Sequence, residues 1–144
     1  MSGIDLSRFH RAQAPVWDRV LAELRAGRKR THWSWFVFPQ LAGLGHSDTA
    51  QLYALHSLDE ARAWLADPVL GPRLFAALDA LLASGRSATT VLGTVDAMKL
   101  RSCLTLFLAA APEDPRLSRA LQVVFDGQPD PLTQRLLRNA HPMP

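Results

Sequence analysis

The most apolar stretch of the chain is VDAMKLRSCLTLFLAAA, residues 95–111, and its periodicity decides the fold. At about 100° per residue, one sector of a helix collects its main apolar side chains: Leu100, Cys103, Leu104 and Phe107. We expect this helix to begin at Thr94 or Val95 and to lie in the core.

Other signals along the chain predict further short helices. Asp5 caps a first turn that carries Phe9 and Gln13, and Pro15 opens a helix that Gly27 ends. The remaining signals are a capping box from Ser57 to Glu60, an apolar stripe over residues 72–83 ended by Gly85, and N-cap–proline pairs at Asp114-Pro115 and Asp130-Pro131. We therefore predict an all-α fold, a single-domain array of about six short helices over residues 1–144.

The segment HWSWFVFPQ, residues 32–40, departs from this pattern. It is rich in residues that favour β-structure, and Phe38 should be extended because Pro39 follows it. No neighbouring segment offers a second strand, so we predict an irregular or short 3₁₀ segment that passes through the core.

The composition is that of a globular protein. The apolar share of 48% and the charged share of 20% are far from a disordered composition. Cys103 is the only cysteine, which excludes an intrachain disulfide framework and a multi-cysteine zinc site. The N-terminus lacks an apolar leader and no apolar run approaches a membrane span, so we expect a cytoplasmic protein without a membrane partner.

Positive charge is concentrated in the first quarter of the chain. The formal net charge is +3, of which residues 1–35 contribute +4 and the rest −1. A protein that coats nucleic acid is usually basic along a whole face, so this distribution argues against a nucleic-acid partner.

The basic and aromatic residues of GRKRTHWSW, residues 27–35, permit two interpretations. Arg28 and Lys29 could bind an anion, His32 could transfer a proton, and Trp33 or Trp35 could stack on a flat ligand. Alternatively, the cations form a solvated turn at a helix C-terminus, His32 is a structural hydrogen-bonding residue and both indoles belong to the core.

Asp96 and Lys99 lie at i and i+3 on the inward side of the predicted central helix. They either pair or line a cavity, or Asp96 favours the helix dipole while Lys99 extends to solvent. Cys103 is most simply a small buried residue. His32 and His46 have no nearby third ligand, and no nucleotide, hydrolase or protease motif is present, so we predict neither a metal nor a cofactor.

Three strings carry a resemblance to a known family: GRKRTHWSWFVFPQLAGLGHS, YALHSLDEARAWLADPVLGPRL and VDAMKLRSCLTLF. Together they resemble domain-of-unknown-function family 1810, whose members are often labelled "calpastatin". The resemblance implies an all-helical single domain and no established activity. The motif positions fall on Gly27, Lys29, His32, Trp33, Trp35, Pro39, Gln40, Gly43, Gly45, Ser47, Asp96, Lys99, Leu100, Arg101 and Ser102. Calpastatin-type inhibitors are disordered, whereas this chain is patterned for a core, so the label has no physical support.

Because several motif positions are polar, the resemblance favours a site that joins the basic loop to the central helix. The first hypothesis is a binding protein or enzyme for an anionic or nucleotide-like molecule. Its residues are His32, Asp96 and Lys99 for catalysis, and Arg28, Lys29, Trp33, Trp35, Gln40, Arg101 and Ser102 for binding. The alternative is a protein–protein interaction module without catalysis, which requires Trp33 and Trp35 to be largely exposed.

Overall fold

A computed structural model describes residues 4–140 of the chain, which fold into ten helices. They are α1 (Ser7–Gln13), α2 (Trp17–Arg25), α3 (Ser34–Val37), α4 (Asp48–Tyr53), α5 (Leu58–Ala66), α6 (Leu70–Ala83), α7 (Ala88–Leu92), α8 (Thr94–Ala110), α9 (Pro115–Phe125) and α10 (Pro131–Ala140). The all-α prediction is confirmed. The predicted number of helices is too low, because α3, α4 and α7 have only four to six residues each and show no periodic apolar pattern.

Helix α8 is the centre of the fold. It begins at Thr94, as predicted, and packs against α3, α5, α7, α9 and α10. The predicted sector is fully buried, but the opposite side is covered as well, including Leu106 and the polar residues Ser102 and Thr105. A helix surrounded in this way is apolar nearly all round, so its own amphipathic pattern is weak.

Two of the end signals read from the sequence form the expected hydrogen bonds, whereas α2 begins at Trp17, two residues after the predicted start at Pro15. The Ser57 hydroxyl accepts from the Glu60 amide at 3.1 Å, and Asp114 accepts from the amide of Arg116 at 2.9 Å. Gly27 follows α2 with a φ of 74°, a left-handed conformation that residues other than glycine rarely adopt. Helix α6 begins two residues before the predicted start at Pro72.

The aromatic segment 32–40 contains one helical turn, α3, followed by an irregular stretch through the core. Phe38 is fully buried and leaves the helical region with φ −121° and ψ 68°, which differs from the extended conformation expected before Pro39. The chain then makes a single parallel bridge between Leu41 and Leu55, in which the Leu55 amide donates to the Gln40 carbonyl at 2.9 Å. The bridge carries the Gln40 side chain to the surface beside α8.

None of the helices within residues 4–140 combines the length and the apolar character that crossing a bilayer requires.

Candidate functional site

A buried carboxylate organises the loop after α2. Glu23 lies on the inner side of α2 and is 8% exposed. Its Oε1 accepts from the amides of Arg30 at 2.8 Å and Thr31 at 3.1 Å, and from the indole Nε1 of Trp33 at 2.9 Å. Its Oε2 accepts from the Thr31 hydroxyl at 2.6 Å. One side chain therefore satisfies the loop backbone and fixes the Trp33 indole in the core.

The ionised form of Glu23 is strongly favoured in the folded protein. Burial by itself raises the pKa of a carboxyl group, but the hydrogen bonds from Thr31, Arg30 and Trp33 outweigh it and lower the pKa to about 2. The carboxylate is thus charged at neutral pH, and its hydrogen bonds stabilise the loop.

Lys29 points inward from the same loop. Its ammonium donates to the Thr31 carbonyl at 2.5 Å and pairs with Asp96 Oδ2 at 2.9 Å, and the side chain is only 6% exposed. Its backbone amide donates to the Val91 carbonyl at 2.7 Å. Lys29 therefore joins the basic loop to α7 and α8.

Asp96 bridges two lysines. Its Oδ1 pairs with the Lys99 ammonium at 3.0 Å, and that ammonium lies 3.5 Å from the centre of the Trp35 ring. Burial of Asp96 raises its pKa, but the hydrogen bonds and charges of Lys29 and Lys99 outweigh this and lower it below the usual value. One carboxylate between two ammonium groups leaves a formal surplus of one positive charge, and the partly exposed Lys99 is its outer member.

A cavity of about 300 Å³ opens where the aromatic segment meets α8. Its polar lining comes from Gln40, Lys99, Ser102 and Asp130. Its other walls come from Trp35, Leu44, Gly45, Val95, Met98 and Leu132. The surface where the aromatic segment meets α8 is thus concave, and the Lys99 ammonium and the Trp35 indole lie together on one of its walls. We call this space the Lys99 cavity.

The turn before α10 supplies Asp130 to the cavity lining. The guanidinium of Arg101 donates to the carbonyls of Gln128 at 2.8 Å and Pro129 at 2.9 Å. The Ser102 hydroxyl lies 3.3 Å from Asp130 Oδ2. The backbone amide of Asp130 also donates to the hydroxyl oxygen of Thr105 at 2.8 Å. These contacts fix the position of Asp130 at the cavity.

The family model described as "Protein of unknown function (DUF1810)" matches residues 3–137. The chain belongs to this family. Its structure is similar to the crystal structure of the conserved hypothetical protein Rv1873 from Mycobacterium tuberculosis, with 46% sequence identity and a TM-score of 0.89. The match covers 92% of this chain and 96% of the mycobacterial protein. None of the curated proteins matches the chain in sequence.

The structure of this DUF1810 protein brings together six of the ten predicted site residues. Four of them line the Lys99 cavity: Trp35, Gln40, Lys99 and Ser102. The other two are Asp96, which pairs with Lys99, and Lys29, which pairs with Asp96.

The other four predicted residues lie elsewhere. Arg28 and His32 are exposed and do not line the cavity. Trp33 is 1% exposed, so its ring is not accessible to a ligand. The Arg101 guanidinium is already bonded to two backbone carbonyls and has a structural role in the turn before α10. The anion site predicted at Arg28, Lys29 and Arg101 is therefore not assembled, and the cation that faces the cavity is Lys99.

The interaction-module hypothesis required both indoles to be largely exposed. Trp33 is buried and Trp35 is only half-buried beneath Lys99, so these residues do not form the surface that the hypothesis needs. No group of three or more His, Cys, Asp or Glu residues within residues 4–140 is arranged to hold a metal ion.

Sequence reasoning missed Glu23 and Asp130. Glu23 follows Val16 by seven residues and Val20 by three, so it falls on the apolar stripe of α2, where a carboxylate is unusual. Asp130 was recognised only as an N-cap. Its place in the cavity depends on how α10 packs against α8, which no local pattern reveals.

Proposed function

We propose that this DUF1810 protein binds a small anionic molecule in the Lys99 cavity. The observation that carries the proposal is the position of the Lys99 ammonium. It lies in a concave site, is held at 3.0 Å by Asp96 and stacks over Trp35, and it belongs to a cluster with one surplus positive charge. A preorganised cation beside an aromatic face suits a carboxylate or phosphate group attached to a flat or apolar body.

The rim of the cavity supports an apolar portion in the ligand. Val95 is 67% exposed, Met98 is 64% exposed and Leu132 is 44% exposed. Covering apolar surface stabilises a complex by roughly 25 cal/mol per Å², before the costs of association are subtracted. A volume of about 300 Å³ lies at the lower end of the range for small-molecule sites, which favours a ligand of modest size.

The proposal assigns binding and no reaction. His32, the predicted proton carrier, lies outside the cavity. The two lysines keep the pKa of Asp96 below its usual value, so this carboxylate stays ionised and is a poor proton donor at neutral pH.

A cytoplasmic location remains part of the proposal. It is supported by Cys103, the only cysteine of the sequence, which is fully buried in α8. Burial raises the pKa of its thiol well above the usual value, so the residue is unreactive, and the sequence offers no second cysteine with which it could form an intrachain disulfide.

The test is a titration of ¹⁵N-labelled protein with aromatic and aliphatic carboxylates, sugar phosphates and nucleotides, followed by ¹H–¹⁵N correlation spectra. We expect at least one anion to shift the amides of residues 35–45 and 98–102. Lys99→Gln removes the positive charge from the cavity, while Lys29 continues to pair with Asp96. The Lys99→Gln substitution should weaken anion binding about 10-fold or more.

The matched control is Arg28→Gln, which removes an exposed cation from the neighbouring loop but leaves the cavity intact. Its affinity should equal that of the wild type. The proposal fails if no anion shifts the cavity amides, or if Lys99→Gln binds as tightly as wild type.

A further inference from the structure

The Lys99 cavity carries a fixed negative charge as well as a positive one. Asp130, the residue directly before α10, is part of the cavity lining. On the basis of the anion-binding function proposed above, we propose that the ligand is a zwitterion of the apolar α-amino-acid class, whose carboxylate binds Lys99 and whose ammonium binds Asp130.

One oxygen of Asp130 remains available for such a ligand. The Thr133 amide at 2.9 Å, the Thr133 hydroxyl at 2.5 Å and the Ser102 hydroxyl at 3.3 Å all bond to Oδ2. The structure gives Oδ1 no hydrogen bond within the described part of the chain. A carboxylate oxygen is an acceptor only, so it calls for a donor such as an ammonium group.

The charges of Lys99 and Asp130 occupy separate positions in the cavity lining. Lys99 and Ser102 are three residues apart on α8, a rise of about 4.5 Å along the helix axis. Ser102 contacts Asp130, whereas Lys99 and Asp130 form no ion pair with each other. The two charges therefore line one cavity without neutralising each other directly, and a single molecule with both charges can satisfy the two together.

Gln40 adds a third polar group to the cavity lining. It lines the cavity, and within residues 4–140 its side-chain amide has no hydrogen bond, although its backbone carbonyl is used by the Leu55 amide. An amide both donates and accepts, so it can serve either charged group of the ligand. The apolar rim formed by Val95, Met98 and Leu132 would contact the ligand's side chain.

The experiment compares three probes that share a phenyl side chain and differ in which charged groups they carry. L-phenylalanine carries both groups, 3-phenylpropanoate lacks the ammonium, and L-phenylalaninamide lacks the carboxylate. L-leucine and L-methionine are included so that the size of the side chain does not decide the result. We expect the zwitterions to bind wild-type protein about 10-fold or more tightly than either singly charged probe, because each lost contact is charge-assisted.

Asp130→Asn is the diagnostic variant. Asparagine is as good an N-cap as aspartate and keeps an oxygen for Thr133, so α10 should remain folded. The variant should lose the preference for the amino acid over 3-phenylpropanoate, while its affinity for 3-phenylpropanoate does not fall. Lys99→Gln should weaken the binding of both phenylalanine and 3-phenylpropanoate.

Two results separate this inference from the function on which it rests. If 3-phenylpropanoate binds wild-type protein as tightly as phenylalanine, or if Asp130→Asn keeps the preference, the amino-acid assignment is wrong and anion binding stands. If only the cationic phenylalaninamide shifts the cavity amides, both proposals are overturned.

Discussion

The hydrogen bonds of Glu23 allow one quantitative prediction about stability. Glu23→Gln keeps the shape of the side chain. Its amide oxygen can still accept from the amides of Arg30 and Thr31 and from the Trp33 indole, and its NH₂ group can donate to the Thr31 hydroxyl. The substitution therefore removes the charge, while each of the four contacts keeps one donor and one acceptor.

The magnitude follows from the pKa. The folded protein lowers the Glu23 pKa from 4.5 to about 2, and each unit corresponds to about 1.4 kcal/mol. The ionised carboxylate thus contributes about 3 kcal/mol at pH 7. Because the folded pKa lies below the unfolded one, this contribution is complete above pH 4.5 and is lost as the pH falls toward 2. At pH 3 about 1 kcal/mol should remain.

The assay is urea unfolding of wild type and Glu23→Gln at several values between pH 7 and pH 3. The difference in unfolding free energy should shrink by about 2 kcal/mol over this range. Asp59→Asn is the control, since Asp59 is 84% exposed and forms only a surface pair with Arg62, so it should change stability by less than about 0.5 kcal/mol. A Glu23→Gln difference that is constant with pH would refute the reasoning.

Three further substitutions test individual contacts by thermal or urea unfolding. Asp96→Asn leaves the buried Lys29 ammonium without its counter-charge and should lower the free energy of unfolding by about 3 kcal/mol. Adding Lys29→Met to this variant should recover part of the loss, and an Asp96→Asn variant as stable as wild type would contradict the pairing. Trp64→Phe should stay within about 1 kcal/mol of wild type, because removal of an indole N–H that is buried without a partner offsets the lost volume; a loss of about 3 kcal/mol would indicate a bond that the structure does not show. Gly71→Ala would place its Cβ near the Leu65 carbonyl oxygen, so it should destabilise α6 by about 2 kcal/mol, and a stabilised variant would show that the turn yields.

The sequence was sufficient for those parts of the fold that depend on local signals. The start of α8 at Thr94, the cap at Ser57 and the Asp-Pro starts of α9 and α10 follow from residues within one turn of each other. Helices α3 and α7 were missed because four or five residues cannot display a period. The bridge from Leu41 to Leu55 was missed because both partners are single residues in irregular chain.

The candidate site was predictable only in part. The i, i+3 spacing placed Asp96 and Lys99 together, and the family motif drew attention to Lys29 and Gln40. The direction in which a loop cation points cannot be read from its neighbours. Lys29 turns inward to Asp96, which becomes its neighbour only when α8 packs against the loop, while the adjacent Arg28 faces solvent.

Two adjacent backbone amides of the basic loop donate hydrogen bonds to two different parts of the molecule. The Lys29 amide donates to Val91 in α7, while the next amide, Arg30, donates to Glu23 in α2. In native-state hydrogen exchange, an opening that separates the loop from α7 and α8 would release the first proton and leave the second protected. Two adjacent amides would then report on two different opening events. A ligand that binds in the cavity and stabilises α8 locally would then slow exchange at Lys29 more than at Arg30.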